Sequence, residues 1–220
     1  MSRGLLIVFE GTEGAGKTTQ LKRLCDWIVA RGRDVVAVRE PGGTALGDEI
    51  RRVLLDPASD VAPRAEALLF MASRAQLVDR EIRPALERGA VVLLDRFFLS
   101  TYAYQGRGRG IPETAIRAAN GMATGLLVPD LTLLLSLPTE DGLTRAMERG
   151  GHDRMEGADL EFHDRVAHAF ADFATPTWQS AHAECGPIVR VDARGTEREV
   201  FARILTVLVE RWPEEFATTV

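Results

Sequence analysis

Short apolar runs alternate with longer helix-like stretches along most of this chain. The apolar runs have the length of strands and lie at 5–9, 34–38, 90–94, 131–137 and 188–191. Between them, apolar residues recur every three or four positions, which is the spacing of the buried face of a helix. These stretches lie at 19–30, 47–55, 63–87, 112–122, 140–149, 160–183 and 197–212. The pattern predicts strands that are separated by helices.

This order of elements predicts the α/β fold class. Parallel strands are joined by right-handed crossovers, which place helices on both faces of the sheet. We therefore expect a three-layer sandwich around a five-stranded parallel sheet. The 220 residues, of which 45% are hydrophobic, suit one domain of this kind. Ligands of such sheets bind at the carboxyl ends of the strands.

Composition and charge narrow the class of protein. The net charge of −5 argues against a broad nucleic-acid-binding surface. Cys25 and Cys185 are too few and too far apart in the sequence for a disulfide framework or a cysteine metal site. No apolar stretch reaches the roughly 18 residues of a membrane span, and no signal peptide precedes the first predicted strand. We expect a cytoplasmic protein with neither a membrane nor a nucleic acid as partner.

The segment after the first predicted strand has the spacing of a phosphate-binding loop. Its sequence, Gly11-Thr12-Glu13-Gly14-Ala15-Gly16-Lys17-Thr18, fits G-x-x-x-x-G-K-[ST]. Glycines let backbone N–H groups face an anion, and the start of the next helix adds its dipole. Lys17 is one of only two lysines in an arginine-rich chain, and it would reach the phosphates as a slim point charge, while Thr18 would bind Mg²⁺. The alternative is an ordinary glycine turn, which the flanking strand and helix disfavour.

Charged residues also follow other predicted strands. Asp95 comes after five apolar residues and would support Mg²⁺ or its waters, unless it only caps the next segment. Arg96 follows it and could hold a second phosphate in bidentate geometry, as a kinase with a phosphorylated acceptor requires. Further candidates for such an anion site are Arg39, Arg51 and Arg74.

A third group of basic residues surrounds the glycine pair at 150–151. Arg145 and Arg149 are spaced to lie on one helix face, where they repel each other unless an anion binds, and Arg154 follows the glycines. This arrangement is typical of a lid that closes arginines over a transferred phosphoryl group and excludes water. The alternative is a solvated loop, and this segment alone favours neither interpretation.

The tract Gly106-Arg107-Gly108-Arg109-Gly110 alternates glycine with arginine. One tract of this length is weak evidence for RNA binding in an acidic protein. We expect instead a mobile loop at the edge of an acceptor pocket.

Further motifs make the chain similar to a known family. Besides the phosphate loop, they are the segments 39–44 (REPGGT), 69–74 (LFMASR), 95–96 (DR), 100–106 (STYAYQG), 129–132 (PDLT) and 153–156 (DRME). With these motifs, residues 6–209 resemble the bacterial thymidylate kinases. The resemblance implies the fold of phosphate-loop nucleoside monophosphate kinases, with a short mobile lid at about 149–157. It also implies ATP as co-substrate, Mg²⁺, and transfer of the γ-phosphoryl group to dTMP.

The resemblance implies roles at the acceptor site. Phe70 would stack on the thymine ring, Arg74 would hydrogen-bond a base carbonyl, and Tyr104 would lie against C2′ of the sugar. The other residues implied here are Glu13, Arg39, Arg96, Ser100 and Gln105.

It also implies roles at the donor site. The loop from Gly11 to Thr19 would hold the ATP phosphates, and Asp192 and Ala193 would border the adenine. Because the loop contains no arginine, Arg149 or Arg154 in the lid would supply the catalytic charge.

Two other functions stay open from the sequence. The chain could be a kinase of another small acceptor, such as dUMP or a nucleoside. It could also be a nucleotide-hydrolysing switch, although the Asn/Thr-Lys-x-Asp motif of guanine-specific switches is absent from the sequence. The family resemblance further implies a homodimer, which would form through apolar faces of the helix predicted at 63–87 and a neighbouring helix.

Overall fold

Five parallel strands form the central sheet. They are β1 (Leu6–Glu10), β2 (Val35–Arg39), β3 (Val91–Asp95), β4 (Leu131–Ser136) and β5 (Ile188–Asp192), in the spatial order β2-β3-β1-β4-β5. The computed structural model describes residues 3–138, 141–142, 154–155, 157 and 159–217. All five strands lie where the apolar runs predicted them, and the parallel sheet is confirmed.

Helices connect the strands. They are α1 (Lys17–Val29), α2 (Ala45–Leu55), α3 (Pro63–Leu77), α4 (Arg83–Glu87), α5 (Phe98–Thr101), α6 (Glu113–Thr124), α7 (Leu160–Phe173), α8 (Pro176–Ala181), α9 (Glu197–Arg211) and α10 (Pro213–Phe216). A π-helical turn at Val78–Ile82 joins α3 to α4, so the helix predicted at 63–87 forms with a local widening. The helix predicted at 140–149 lies outside the described residues except for 141–142. In the described part of the chain, no helix combines the length and apolar character of a membrane span.

The sheet separates two apolar clusters. Neighbouring residues of a strand point to opposite faces, so Leu6 and Val8 of β1 pack on one side and Ile7 and Phe9 on the other. The first cluster includes side chains from α4, α6 and α7, and the second includes side chains from α1 and α9. This arrangement confirms the three-layer α/β sandwich.

The prediction of a single helix at 160–183 is wrong. The chain forms α7 and α8 instead, and Pro176 occupies the first turn of α8. Proline cannot supply the N–H that a continuing helix needs. The side chain of Thr175 accepts from the backbone N–H of Trp178 at 3.3 Å and caps the new helix.

The mobile loop predicted at 106–110 is also wrong. Residues Tyr102–Gly108 continue α5 as a π-helical segment, in which Gly106 and Gly108 are buried. The aromatic ring of Phe162 on α7 packs against Gly108, where an added Cβ would lie 2.5 Å from the ring. The glycine therefore serves the close approach of two helices and not the flexibility of a loop.

Gly108→Ala tests this packing. Because the new methyl group would overlap the Phe162 ring, we expect the free energy of unfolding to fall by about 1–3 kcal/mol. Gly106→Ala is the matched control, since its Cβ would meet neighbours only at 3.9 Å, an ordinary contact distance. Urea denaturation of both variants measures the difference. Equal stability of the two variants would show that the contact between Gly108 and Phe162 leaves room for a methyl group.

Candidate active site

The phosphate loop connects β1 to α1 as the motif predicts. Gly16 immediately precedes α1 in a left-handed conformation, with φ 83° and ψ 16°. Gly14 also has a positive φ, of 72°, and a Cβ there would lie 2.0 Å from the carbonyl oxygen of Gly142. Side chains are disfavoured at both positions, by backbone strain and at Gly14 also by the collision. The glycines thus give the loop its shape.

Lys17 is buried within this loop. Its Nζ donates to the carbonyl oxygens of Gly11 at 3.0 Å and Thr12 at 2.7 Å. Burial, and then the positive charge of Arg96, lower the pKa of Lys17 to about 7. The lysine therefore lacks a full counter-charge in its pocket. A bound anion would supply that charge.

Thr18 and Asp95 place two oxygen donors side by side. The Thr18 hydroxyl donates to Asp95 Oδ2 at 2.6 Å, which joins the first turn of α1 to the end of β3. Hydroxyl and carboxylate oxygens suit a hard cation. Among the described residues, no cluster of three or more histidines, cysteines or carboxylates could hold a metal ion. The pair therefore fits a cation such as Mg²⁺ that keeps waters and binds largely through substrate phosphates.

Arg96 directly follows β3. Its backbone is in the left-handed conformation, with φ 70°, which is uncommon for a residue with a side chain. Its guanidinium donates to Ser100 Oγ at 3.0 Å and lies 5.3 Å from the centre of the Tyr104 ring. Burial by itself lowers the pKa of Arg96, but Tyr104, Glu13 and Asp95 raise it above its ordinary value. The structure thus holds a permanent cation beside the phosphate loop.

Glu10 holds the segment that follows Arg96. This fully buried carboxylate accepts from the backbone N–H of Phe97 at 2.7 Å and of Ser100 at 3.0 Å. It also accepts from the Ser100 hydroxyl at 2.7 Å. Sequence reasoning did not single out Glu10, although a carboxylate at the end of an apolar strand is an available signal.

Arg74 is only 1% exposed and most of its donors are occupied. It forms a buried ion pair with Glu40 at 2.6 Å, and it donates to the Phe97 carbonyl at 2.8 Å and to the Asn120 side chain. Burial raises the pKa of Glu40, and Arg74 opposes that effect. A guanidinium has five N–H donors, and the fifth faces the sulfur of Met71 at 4.0 Å. Sulfur is a weak acceptor, so only this last contact can readily be exchanged for a ligand. Glu40 and Asn120 were not predicted as site residues.

One cavity of about 600 Å³ joins most of the predicted site. The predicted residues that line it are Glu13, Gly14, Gly16, Lys17, Thr18, Thr19, Arg39, Arg51, Phe70, Arg74, Asp95, Arg96, Ser100, Tyr104 and Gln105. Asp192 is the last residue of β5 and Ala193 follows it, and neither is part of this lining. The cavity therefore contains both the phosphate loop and the residues predicted for the acceptor.

The structure describes only one of the two arginines predicted in the lid. Arg149 lies outside the described residues. Arg154 donates through Nε to the Leu54 carbonyl at 2.9 Å and through Nη2 to Glu66 Oε2 at 2.7 Å. The guanidinium of Arg154 is thus engaged by groups outside the phosphate loop.

Comparison with known proteins gives a consistent result. The family model described as thymidylate kinase matches residues 9–187. A thymidylate kinase from Deinococcus radiodurans is 50% identical over 211 residues, which cover 96% of this chain and 99% of that protein. One from Chlorobium luteolum is 41% identical over 220 residues, covering 96% and 100%. One from Trichodesmium erythraeum is 42% identical over 227 residues, covering 96% and 97%.

The lowered pKa of Lys17 leads to a measurable proton uptake. At about pH 8 the lysine of the empty site is mostly neutral, and bound phosphates favour its charged form. We expect Mg·ATP to bind with uptake of up to about one proton, and its affinity to fall as the pH rises above about 7. Calorimetry in two buffers of different ionisation enthalpy measures this uptake. Lys17→Met should abolish it, and wild-type binding without uptake would contradict the assignment.

Proposed function

The chain therefore belongs to the thymidylate kinase family, and we propose that it transfers the γ-phosphoryl group of ATP to dTMP, giving dTDP and ADP. The observation that carries the proposal is the shared cavity, in which Lys17 of the phosphate loop and Arg96 of the acceptor side face one space. A nucleotide switch needs no second cation for an acceptor. We also propose a cytoplasmic location, where ATP is available, and cell fractionation tests it.

The proposed mechanism rests on positioning and charge. The loop N–H groups and Lys17 bind the ATP phosphates, and Arg96 binds the phosphate of dTMP, which attacks in line. Phosphoryl transfer proceeds mainly through such alignment and through neutralisation of the charge on the transferred group. The acceptor oxygen is already ionised near neutral pH, so the reaction needs no strong general base. Lys17 is buried and Arg96 is partly buried, which strengthens their attraction for the phosphates.

We propose Thr18 and Asp95 as the residues that hold Mg²⁺. Their adjacent oxygen atoms are the donors that this ion prefers. When bound, the ion neutralises charge on the phosphate oxygens. Thr18 in the first turn of α1 and Asp95 at the end of β3 would hold the ion beside the phosphate loop.

We propose that the acceptor base binds among Phe70, Arg74 and Tyr104, which also line the cavity. Phe70 is half-buried on the cavity wall, where it offers a ring for stacking. The Tyr104 hydroxyl donates to Glu13 at 3.1 Å, which holds the tyrosine ring beside Arg96 and the position proposed for the sugar. Arg74 can contribute a single hydrogen bond to a base carbonyl by exchanging its weak contact with the Met71 sulfur. Of the lid arginines, we favour Arg149 as the catalytic one, since Arg154 is engaged with Leu54 and Glu66.

A homodimer is proposed from an exposed apolar surface on α2, α3 and α6. These helices pack against each other in that order. Their exposed apolar side chains include Leu46 on α2, Leu68 on α3 and Met122 on α6, with Leu68 63% and Met122 83% exposed. A surface of this kind marks a protein interface more often than an isolated apolar residue does. A second copy of the chain would cover it.

Acceptor dependence tests the proposed function. We expect ADP release from Mg·ATP to be low alone and to rise at least about tenfold with dTMP, and to rise much less with dUMP, dCMP or AMP. Chelation of Mg²⁺ should abolish the reaction. Strongest turnover with dUMP or a nucleoside would identify another acceptor. ADP release that no acceptor stimulates would identify a nucleotide-hydrolysing switch.

Charge on the apolar surface tests the proposed dimer. The double substitution Leu68→Glu and Met122→Glu should convert a dimer into monomers, because it would bury two carboxylates per subunit in the interface. Leu160→Glu is the control, since Leu160 is 75% exposed but lies on α7. Light scattering after gel filtration gives the mass of each form. A monomeric wild-type protein, or a dimer that survives the double substitution, would refute this interface.

A further inference from the structure

Glu66 is a fully buried carboxylate that the phosphate chemistry does not use. It lies in the first turn of α3 and both of its oxygens are occupied. Oε1 accepts from Gln105 Nε2 at 2.9 Å, and Oε2 accepts from Arg154 Nη2 at 2.7 Å. Arg109 adds two longer contacts of 3.4 Å, one to each oxygen. Removal of one partner from such a buried group is strongly destabilising, because it leaves a charge uncompensated.

The partners of Glu66 come from two different walls of the cavity. Gln105 belongs to the π-helical segment after α5 and lines the cavity. Arg154 precedes Met155, which lines the cavity as well. Arg154 is held further by its backbone N–H, which donates to the Leu55 carbonyl at 3.1 Å. Glu66 thus connects the Gln105 segment with the Arg154 segment, and Glu66 itself is not part of the cavity lining.

The charge of Glu66 also decides how the Gln105 amide is turned. A carboxylate can only accept hydrogen bonds, so Gln105 must direct its NH₂ group to Glu66. The amide carbonyl oxygen is then the polar atom left for a bound base. Such an acceptor suits the N3–H of thymine, whereas N3 of cytosine carries no hydrogen and would be repelled.

We propose that Glu66 is a positioning residue for acceptor binding. It fixes the Gln105 amide with its carbonyl oxygen available to the base, and it anchors Arg154, so that the adjacent Met155 stays in the cavity lining. This inference rests on the proposed function, because it assumes that a pyrimidine nucleotide occupies this end of the cavity. Glu66 acts only through Gln105 and Arg154, and it touches neither substrate nor the reacting phosphates.

Glu66→Gln tests the proposal, because it keeps the shape of the side chain and removes the charge. Loss of a charged acceptor should weaken dTMP binding about tenfold or more, while Mg·ATP binding changes less than about twofold. The preference for dTMP over dCMP should fall as well, since the Gln105 amide can then turn over. Titration calorimetry with each nucleotide measures these dissociation constants.

Glu184→Gln is the matched control. Glu184 also accepts from an arginine, Arg117, and from the Tyr102 hydroxyl, but it lies outside the cavity. It should leave both affinities unchanged even if the free energy of unfolding falls. If Glu66→Gln does not fold, Arg154→Met takes its place. That variant should weaken dTMP binding and keep the preference over dCMP, because Glu66 still orients Gln105.

The outcomes separate the inference from the function it rests on. Wild-type protein that does not bind dTMP would refute the proposed function and the role of Glu66 with it. Wild-type protein that binds dTMP, beside a folded Glu66→Gln variant of equal affinity, would refute only the role of Glu66. Equal losses of dTMP and Mg·ATP affinity would also refute it, since a merely structural defect affects both. Unchanged dTMP binding in Arg154→Met would overturn the anchoring of the second wall.

Discussion

The pairing of β1 with β3 positions the charged groups of the site. Phe9 lies opposite Asp95 in the register, and the backbone N–H of Arg96 donates to the Phe9 carbonyl at 2.9 Å. The phosphate loop therefore starts from the strand beside the one that delivers Asp95 and Arg96. Glu10 extends this pairing beyond the last ladder bond, because it accepts three hydrogen bonds from the segment after Arg96. A shift of one residue in this register would separate the groups proposed to bind the two phosphates.

Two ion pairs connect side chains in and behind the cavity walls. They join Arg74 to Glu40 and Glu66 to Arg154. In a medium of low dielectric constant such pairs are strong when complete and costly when one partner is missing. Lys17 differs from them, since backbone carbonyls are its hydrogen-bond partners and its pKa is lowered to about 7. The walls thus carry paired charges, while the phosphate loop carries Lys17, whose positive charge a bound anion would balance.

The sequence predicted those parts of the site that depend on local pattern. The apolar run of β1, the glycines and Lys17 are adjacent in the chain, so the loop could be recognised without any tertiary contact. Asp95 and Arg96 could be placed because strand ends meet at one edge of a parallel sheet.

The groups that hold the site in place could not be predicted, because their partners are remote in sequence. Glu10 meets Phe97 across 87 positions, Glu40 meets Arg74 across 34, and Glu66 meets Arg154 across 88. The same limit explains the wrong prediction at 106–110, because Gly108 contacts Phe162, which lies on another helix. Composition alone describes such a tract as flexible. At 160–183, by contrast, the Thr175-Pro176 pair is a local signal of the break, because threonine caps a new helix and proline cannot continue the old one.

The central claim is that the end of β3 provides the cation for the acceptor phosphate, and its most direct test compares the binding of dTMP with that of thymidine. Wild-type protein should bind dTMP at least about tenfold more tightly, since a charge-assisted hydrogen bond contributes about 1.5–3 kcal/mol. In Arg96→Met this preference should nearly vanish while thymidine binds as before. A variant that keeps the full preference for dTMP would contradict the account.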